Sequence, residues 1–250
     1  MKGFLSKVRI YIGFDDTDNL DSDYGTGKVA RRFEKLIPEG CRLWGVLRQQ
    51  LLVDEKIPYT SHNSSACLVI DTEDLFLRDG LLDAAVRHLE DQASSGSDPG
   101  LCIACEGAVS FTSLMEFGKR CTSQIVTQSE ALKAASGFHL SGHGGTNDGI
   151  IGAAAAVGLT ASGWNGRFIE FGGLRDFPHE VSVSNLEQAG ISVISLDRDA
   201  IVPDMTDIVV TNGWLRPRLL GFKPVLLVNP EVKGRWISIG GKRNKDKEQV

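Results

Sequence analysis

The segment Gly149-Ile-Ile-Gly-Ala-Ala-Ala-Ala-Val-Gly158 restricts the possible folds of this chain more than any other stretch. Alanine is the best helix former, and a helix with so little side-chain bulk can lie very close to a sheet. Immediately before it runs Ser141-Gly-His-Gly-Gly-Thr-Asn-Asp-Gly149, with four glycines. A glycine-rich loop that opens a helix is a candidate phosphate cradle, because backbone N–H groups converge there and glycine permits close approach. Gly144, Gly145, Asn147 and Gly149 are the residues expected to contribute. The plainer alternative is a flexible linker between domains. The small-residue helix behind the loop argues instead for an ordered junction, and a domain boundary is placed there, between residues 140 and 141.

The second constraining feature lies near the N-terminus. Val8-Arg9-Ile10-Tyr11-Ile12 alternates as a strand does and is expected to end at Gly13. Asp15, Asp16 and Asp18 follow at once, and Val29, Phe33 and Leu36 then mark a helix that stops at Pro38. The acidic cluster therefore sits on a strand-to-helix loop, the usual place for a binding site in α/β folds. Three carboxylates within four residues repel one another unless a cation neutralises them. Hard oxygen donors of this kind suit magnesium, which takes one or two carboxylates and completes its shell with substrate phosphates. Thr17 lies inside the cluster. Gly25-Thr26-Gly27-Lys28 precedes the helix and is a further candidate phosphate contact; it lacks the upstream glycine of a full P-loop. A solvated acidic turn and an ordinary capped helix are the competing readings of these two segments.

Further strands are expected over Leu43 to Leu52 and Cys67 to Ile70. Asp71 or Thr72 is expected to cap a helix reaching about Gln92, with Leu75, Leu82, Val86 and Leu89 as its apolar stripe. Short helices follow near Ser113 to Arg120 and Gln128 to Ala135. After Gly163 the pattern is strand (Arg167 to Phe171), helix (Val183 to Ala189) and strand (Ile191 to Ser195). Short strands then cover Asp207 to Thr211, Val225 to Val228 and Trp236 to Ile239. Trp214-Leu-Arg-Pro-Arg218 with Lys223 forms a basic-aromatic patch, best read as an amphipathic edge strand with its arginines snorkelling to solvent. Residues from Lys242 on are polar or charged and are expected to be disordered.

Composition narrows the class. The 250 residues carry 27 Lys plus Arg against 32 Asp plus Glu, a formal charge of −5. That balance disfavours nucleic-acid binding by backbone electrostatics as the main mode. The five cysteines, Cys41, Cys67, Cys102, Cys105 and Cys121, are odd in number and lie largely in apolar runs, as buried thiols in a reducing compartment do. Cys102 and Cys105 have no second ligand pair for zinc. No segment has the length of a membrane span, so a soluble cytoplasmic protein is expected.

Four motifs, in order, resemble the archaeal tRNA-Ile agmatinylcytidine synthetase family. Gly13-Phe-Asp-Asp-Thr-Asp-Asn19 resembles its Gly-Ile-Asp-Asp-Thr-Asp-Ser signature. Ile57-Pro58-Tyr59, with Ala66, resembles its Ile-Pro-Tyr motif, and Asp98-Pro99-Gly100 its Asn/Asp-Pro-Gly motif. Gly149 to Gly158 resembles its Gly-Leu-Ile-Gly-Ala-Leu-Ala-Ala-Ile-Gly segment. The resemblance implies an ATP-using, kinase-like α/β domain followed by a smaller ferredoxin-like α+β domain, here over residues 1–140 and 141–240 with a tail over 241–250. It also implies that Asp15, Asp16 and Asp18 handle magnesium and the ATP phosphates. The family's oligonucleotide-binding barrel and zinc ribbon are not expected within these residues. Its Lys-Thr-Arg after Ile-Pro-Tyr is Thr60-Ser61-His62, and its Arg before the small-residue helix is Asp148.

The expected function is an ATP- and magnesium-dependent enzyme, kinase-like or ligase-type, acting on a small-molecule acceptor. Asp15, Asp16 and Asp18 are its expected catalytic and metal-holding residues. Thr17, Gly25, Thr26, Gly27, Lys28, Gly144, Gly145, Asn147 and Gly149 are expected to hold the nucleotide, and Tyr59, His62, Asn63 and Ser64 to line the acceptor side. Two alternatives stand beside it. One is a tRNA-modifying enzyme that relies on a partner to grip RNA, tRNA being a possible but not the favoured substrate. The other is a nucleotide-binding regulatory module without chemistry.

Overall fold

The structure, a computed structural model, describes residues 7–57, 62–107 and 109–240. The expected tail over 241–250 and Tyr59 lie outside them. The chain divides into two compact units, Met1–Gly166 and Arg167–Val250. The boundary expected at 140/141 thus falls inside the first unit, because the glycine-rich loop and the helix after it pack onto that unit's own sheet.

In the first unit β1 (Val8–Asp15) leads to α1 (Thr26–Arg32), which tightens into a 3-10 turn (Phe33–Leu36). Then come β2 (Cys41–Gln50), β3 (Ser64–Thr72), α2 (Leu77–Gln92) and β4 (Gly100–Cys105). The unit ends with α3 (Thr112–Cys121), α4 (Gln128–Ala134), β5 (His139–Gly142) and α5 (Gly149–Ala161). Its strands lie in the order β5-β4-β1-β3-β2, with antiparallel neighbours throughout. The mixed α/β class is the expected one. The β1-α1-β2-β3-α2-β4 run with spatial order 4-1-3-2 is the split βαβ arrangement of ferredoxin-like folds. That topology was expected of the second domain and is found instead in the first unit.

β1 is the hinge of this arrangement. It runs two residues past Gly13, so Asp15 is its last residue. Side chains alternate between the two faces of a strand. Phe14 points to one face, where its ring meets Phe33 at 5.9 Å and His88 of α2 at 6.3 Å. Gly13 and Asp15 point to the other, against α5: a Cβ on Gly13 would collide with the carbonyl oxygen of Ala153, and one on Gly152 with the Asp15 carboxylate. The contact continues with Gly100 against the backbone of Gly149, and Gly158 against the carbonyl of Leu114 in α3. Ala153, Ala154, Ala155 and Ala156 are fully buried. The small residues thus serve backbone-to-backbone packing between α5 and its neighbours.

Local signals were read with mixed accuracy. Asp71 and Thr72 do not cap α2. Both remain near β3, where the Asp71 carboxylate pairs with Lys7, Arg9 and Arg42 at 2.6, 3.1 and 3.4 Å. The buried stripe of α2 is Leu81, Ala85, His88 and Leu89, while Leu75 is exposed; the helix starts later than expected, which turns a different face to the sheet. His88 is a structural histidine: its Nε2 lies 2.9 Å from the Val29 carbonyl and ties α2 to α1. At α4, the Thr127 hydroxyl accepts from the Glu130 amide, while the Glu130 carboxylate accepts from the Thr127 amide, a complete capping box. Thr127→Ala is expected to cost about 1 kcal/mol, measured by chemical denaturation.

The second unit comprises β6 (Arg167–Glu170), β7 (Glu180–Ser182), α6 (Val183–Gln188), β8 (Ser192–Ser195), β9 (Ile208–Val210), β10 (Arg218–Leu220), β11 (Lys223–Val232) and β12 (Arg235–Ser238). Its strand order is β6-β10-β11-β12-β9-β7, with β8 parallel to β11. Ser182 caps α6 by accepting from the Asn185 amide, and Leu186, Val209, Leu226 and Val228 are fully buried. Of the segment Trp214–Arg218, only Arg218 enters a strand, β10, and that strand pairs on both sides, with β6 and β11. The Trp214 ring carries the guanidinium groups of Arg175 and Arg216 at 5.2 and 4.9 Å. No helix among the described residues is long and apolar enough to cross a membrane.

Candidate functional site

Where β1 ends, its chain leaves the sheet beneath the N-terminus of α5, and a cavity of about 230 Å³ opens. Asp15, Asp16 and Asp18 line it from the β1–α1 segment, Thr26 from the start of α1, and Asp148, Gly149, Ile151 and Gly152 from α5. Lys56, His62, Asn63 and Ser64 line it from the segment joining β2 to β3, and Leu51, Ile57, Cys121, Ile125 and Val126 supply apolar wall. All of these belong to the first unit.

The carboxylates differ in their surroundings. Burial, and then the neighbouring Asp16, push the Asp15 carboxyl up to about 8. Asp16 is pushed up to about 6 by burial and by Asp98, Asp18 and Asp148. Its backbone lies in the left-handed region, φ 51°, which aspartate tolerates better than most residues. Asp18 is committed differently: one of its oxygens accepts from the Thr26 amide at 3.1 Å and hydroxyl at 3.2 Å, satisfying a donor at the start of α1. Asp98 accepts from the Thr146 amide at 2.8 Å and from its hydroxyl, and Asp148 accepts from the Gln128 amide group at 2.6 Å.

The remaining predicted residues divide into those at the cavity and those away from it. Thr17 is fully buried, and its amide and hydroxyl both meet the Thr26 hydroxyl, at 3.3 and 3.1 Å. It braces the loop rather than facing the cavity. Lys28 lies over the Tyr24 ring at 5.0 Å, and Gly25, Gly27, Gly144, Gly145 and Asn147 do not line the cavity. The glycine-rich loop has a packing reason for its composition: a Cβ on Gly145 would meet the Asp98 carboxylate, one on Gly142 the Asn147 side chain, and one on Gly149 the Asp98 carbonyl. Gly149 nonetheless lines the cavity, so its lack of a side chain serves both the packing and the opening there. Asn63 lines the cavity but donates from its side chain to the Leu52 carbonyl at 2.7 Å, and Ser64 accepts from Arg48 at 2.9 Å. Asp148, at the position of the family's Arg before the small-residue helix, and Lys56, just before Ile57-Pro58-Tyr59, join the lining without having been expected as site residues. Cys102 and Cys105 are free thiols on β4, three residues apart and so on opposite faces.

The donor set can be tested against magnesium. Among the described residues no three His, Cys, Asp or Glu side chains converge as a closed metal centre, and Asp18 is partly occupied by Thr26. Asp15 and Asp16 are carboxylates whose proton affinity is raised first by burial and then by neighbouring carboxylates. Two carboxylates fit an ion that takes the rest of its ligands from phosphates and water.

No protein-family model and no curated protein matches the chain. Solved structures do. The crystal structure of a tRNA fluorescent labeling enzyme superposes with a TM-score of 0.51 at 24% identity, over 60% of this chain and 36% of that one. TiaS in complex with tRNA and ATP gives 0.51 at 23% identity, and TiaS with tRNA, AMPCPP and agmatine gives 0.50 at 23%, over the same shares. TiaS is a tRNA agmatidine synthetase, so the likeness in fold falls on the family that the sequence motifs resemble. The aligned region spans about a third of the length of those chains.

Proposed function

We propose that this chain is an ATP- and magnesium-dependent enzyme of the ligase or kinase-like type, with its site in the cavity at the end of β1. The observation that carries the reading is the Asp15–Asp16 pair, held at the carboxyl end of a central strand, lining the cavity and raised in proton affinity by burial and by surrounding carboxylates. It stands in a fold shared with enzymes solved with ATP and AMPCPP. Asp15 and Asp16 would hold magnesium, which when bound neutralises phosphate charge and orients the nucleotide. Asp18 fixes the loop to the start of α1 through Thr26, so the pair is presented by a braced segment. Leu51, Ile57, Ile125 and Val126 give the cavity an apolar part of its wall. His62 and Ser64 face the space left for an acceptor.

The acceptor in this reading is a small molecule. Four carboxylates and one lysine line the cavity, and the chain carries a formal charge of −5, a poor match for a polyanion bound by electrostatics alone. A second reading, in which the acceptor is RNA, rests on the TiaS structures that contain tRNA. Release of AMP or ADP from ATP, followed with magnesium in the presence and absence of bulk tRNA, separates the two. Turnover stimulated by small amines or acids and indifferent to tRNA supports the first; strict dependence on tRNA replaces it with the second. If millimolar ATP and magnesium neither move the melting temperature nor yield product, the enzyme reading is lost.

A further inference from the structure

The cavity is electrically lopsided. Asp15, Asp16, Asp18 and Asp148 line it from β1, its following loop and α5, whereas Lys56 is the one lysine or arginine among its described lining residues. Nearby cations are engaged elsewhere: Lys28 and Arg32 lie over Tyr24, Arg120 pairs with Glu130, and Arg48 donates to Ser64. Lys56 forms no ion pair among the described residues and is exposed. Its backbone is nonetheless placed. The Lys56 amide donates to the Asp54 side chain at 2.9 Å, and the Ile57 amide to the Asp54 carbonyl at 3.0 Å. The root of this turn is tied down by Leu51 to Asn63 and by Leu52 to Cys121, each at 2.9 Å. A long, exposed side chain on an anchored turn that lines the same cavity as four carboxylates can meet an anion those carboxylates repel.

Resting on the nucleotide reading above, we propose that Lys56 is the phosphate-gripping cation of this site, contacting the oligophosphate of a nucleoside triphosphate. A lysine acts on phosphate as a point charge, so its contribution follows the phosphate and not the base. Calorimetry with ATP and magnesium, and in parallel with adenosine, tests this on wild type, Lys56→Ala and Lys56→Arg. The expected result is at least a tenfold loss of ATP affinity in Lys56→Ala, unchanged adenosine binding, and retention of most ATP affinity in Lys56→Arg, with all three proteins melting alike. Equal ATP affinity in wild type and Lys56→Ala overturns the assignment and leaves the nucleotide reading standing. An equal loss for ATP and adenosine overturns it too, since that marks a change in the cavity's shape. Absence of ATP binding by the wild type removes the nucleotide reading and the Lys56 assignment with it.

Discussion

Gly13→Val is expected to destabilise the first unit by more than about 3 kcal/mol, whereas Gly80→Ala is expected to stabilise it by up to about 1 kcal/mol. Gly13 pairs with Cys67 of β3 and Cys102 of β4 in the middle of the sheet, and the space beyond its Cα is filled by the backbone oxygen of Ala153. Backbone on both sides cannot rotate away as a side chain can. Overpacking in a well-filled core costs about 1–3 kcal/mol, and here α5 must be lifted from β1 in addition. Gly80 lies inside α2, with nothing within 4 Å of an added Cβ. There alanine only reduces the backbone freedom lost on folding. Urea denaturation of both variants checks the pair; a Gly13→Val protein as stable as wild type would mean that α5 does not pack on β1 as described.

These glycines also show what the sequence could and could not convey. The composition of Gly149–Gly158 signals a helix in close contact with something, and it is one. Its partners, Gly13, Gly100 and Gly118, are scattered along the chain and become recognisable only when β1, β4 and α3 are assembled around α5. Gly13 was read as the end of β1 because glycine weakens a strand; the strand continues because that glycine is where the helix touches. Strand order is likewise invisible to local periodicity: the β4-β1-β3-β2 order of the first unit emerges only when its sheet is assembled. At the cavity, Asp15, Asp16 and Asp18 were legible through their crowding after a strand. Lys56 was not, because a single charged residue in a loop acquires meaning only from what it faces, and Asp148 was legible only as a departure from a family motif. The composition of the glycine-rich loop is ambiguous for a physical reason: its glycines relieve contacts with Asp98, Asn147 and neighbouring backbone, a demand that produces the same composition as a phosphate cradle.

Asp15→Asn is expected to stabilise the metal-free protein near pH 8 and, at the same time, to abolish its stabilisation by ATP and magnesium. The carboxyl is raised from 3.8 to about 8, first by burial and next by Asp16. A group with a higher pKa in the folded state favours folding below its unfolded value and loses that advantage as pH rises through the folded value. The penalty for Asp15 is therefore absent below about pH 4, grows up to about pH 8 and then levels off. Each pKa unit corresponds to about 1.4 kcal/mol, and the cavity admits solvent, which screens part of the effect. A gain of about 2 kcal/mol for the uncharged amide at pH 8 is a reasonable discounted expectation. Melts of wild type and Asp15→Asn in chelator from pH 4 to pH 8 should start together and separate as pH rises, the variant becoming the more stable. Adding ATP and magnesium at pH 8 should then reverse the order. A ligand that binds only the native state adds about 2.7 kcal/mol at a hundredfold excess over its dissociation constant, and only the wild type retains both carboxylates for the cation. A variant less stable than wild type across this range would show that Asp15 is held by favourable partners rather than by burial against charge. A variant that still responds to ATP and magnesium would move the cation away from the end of β1.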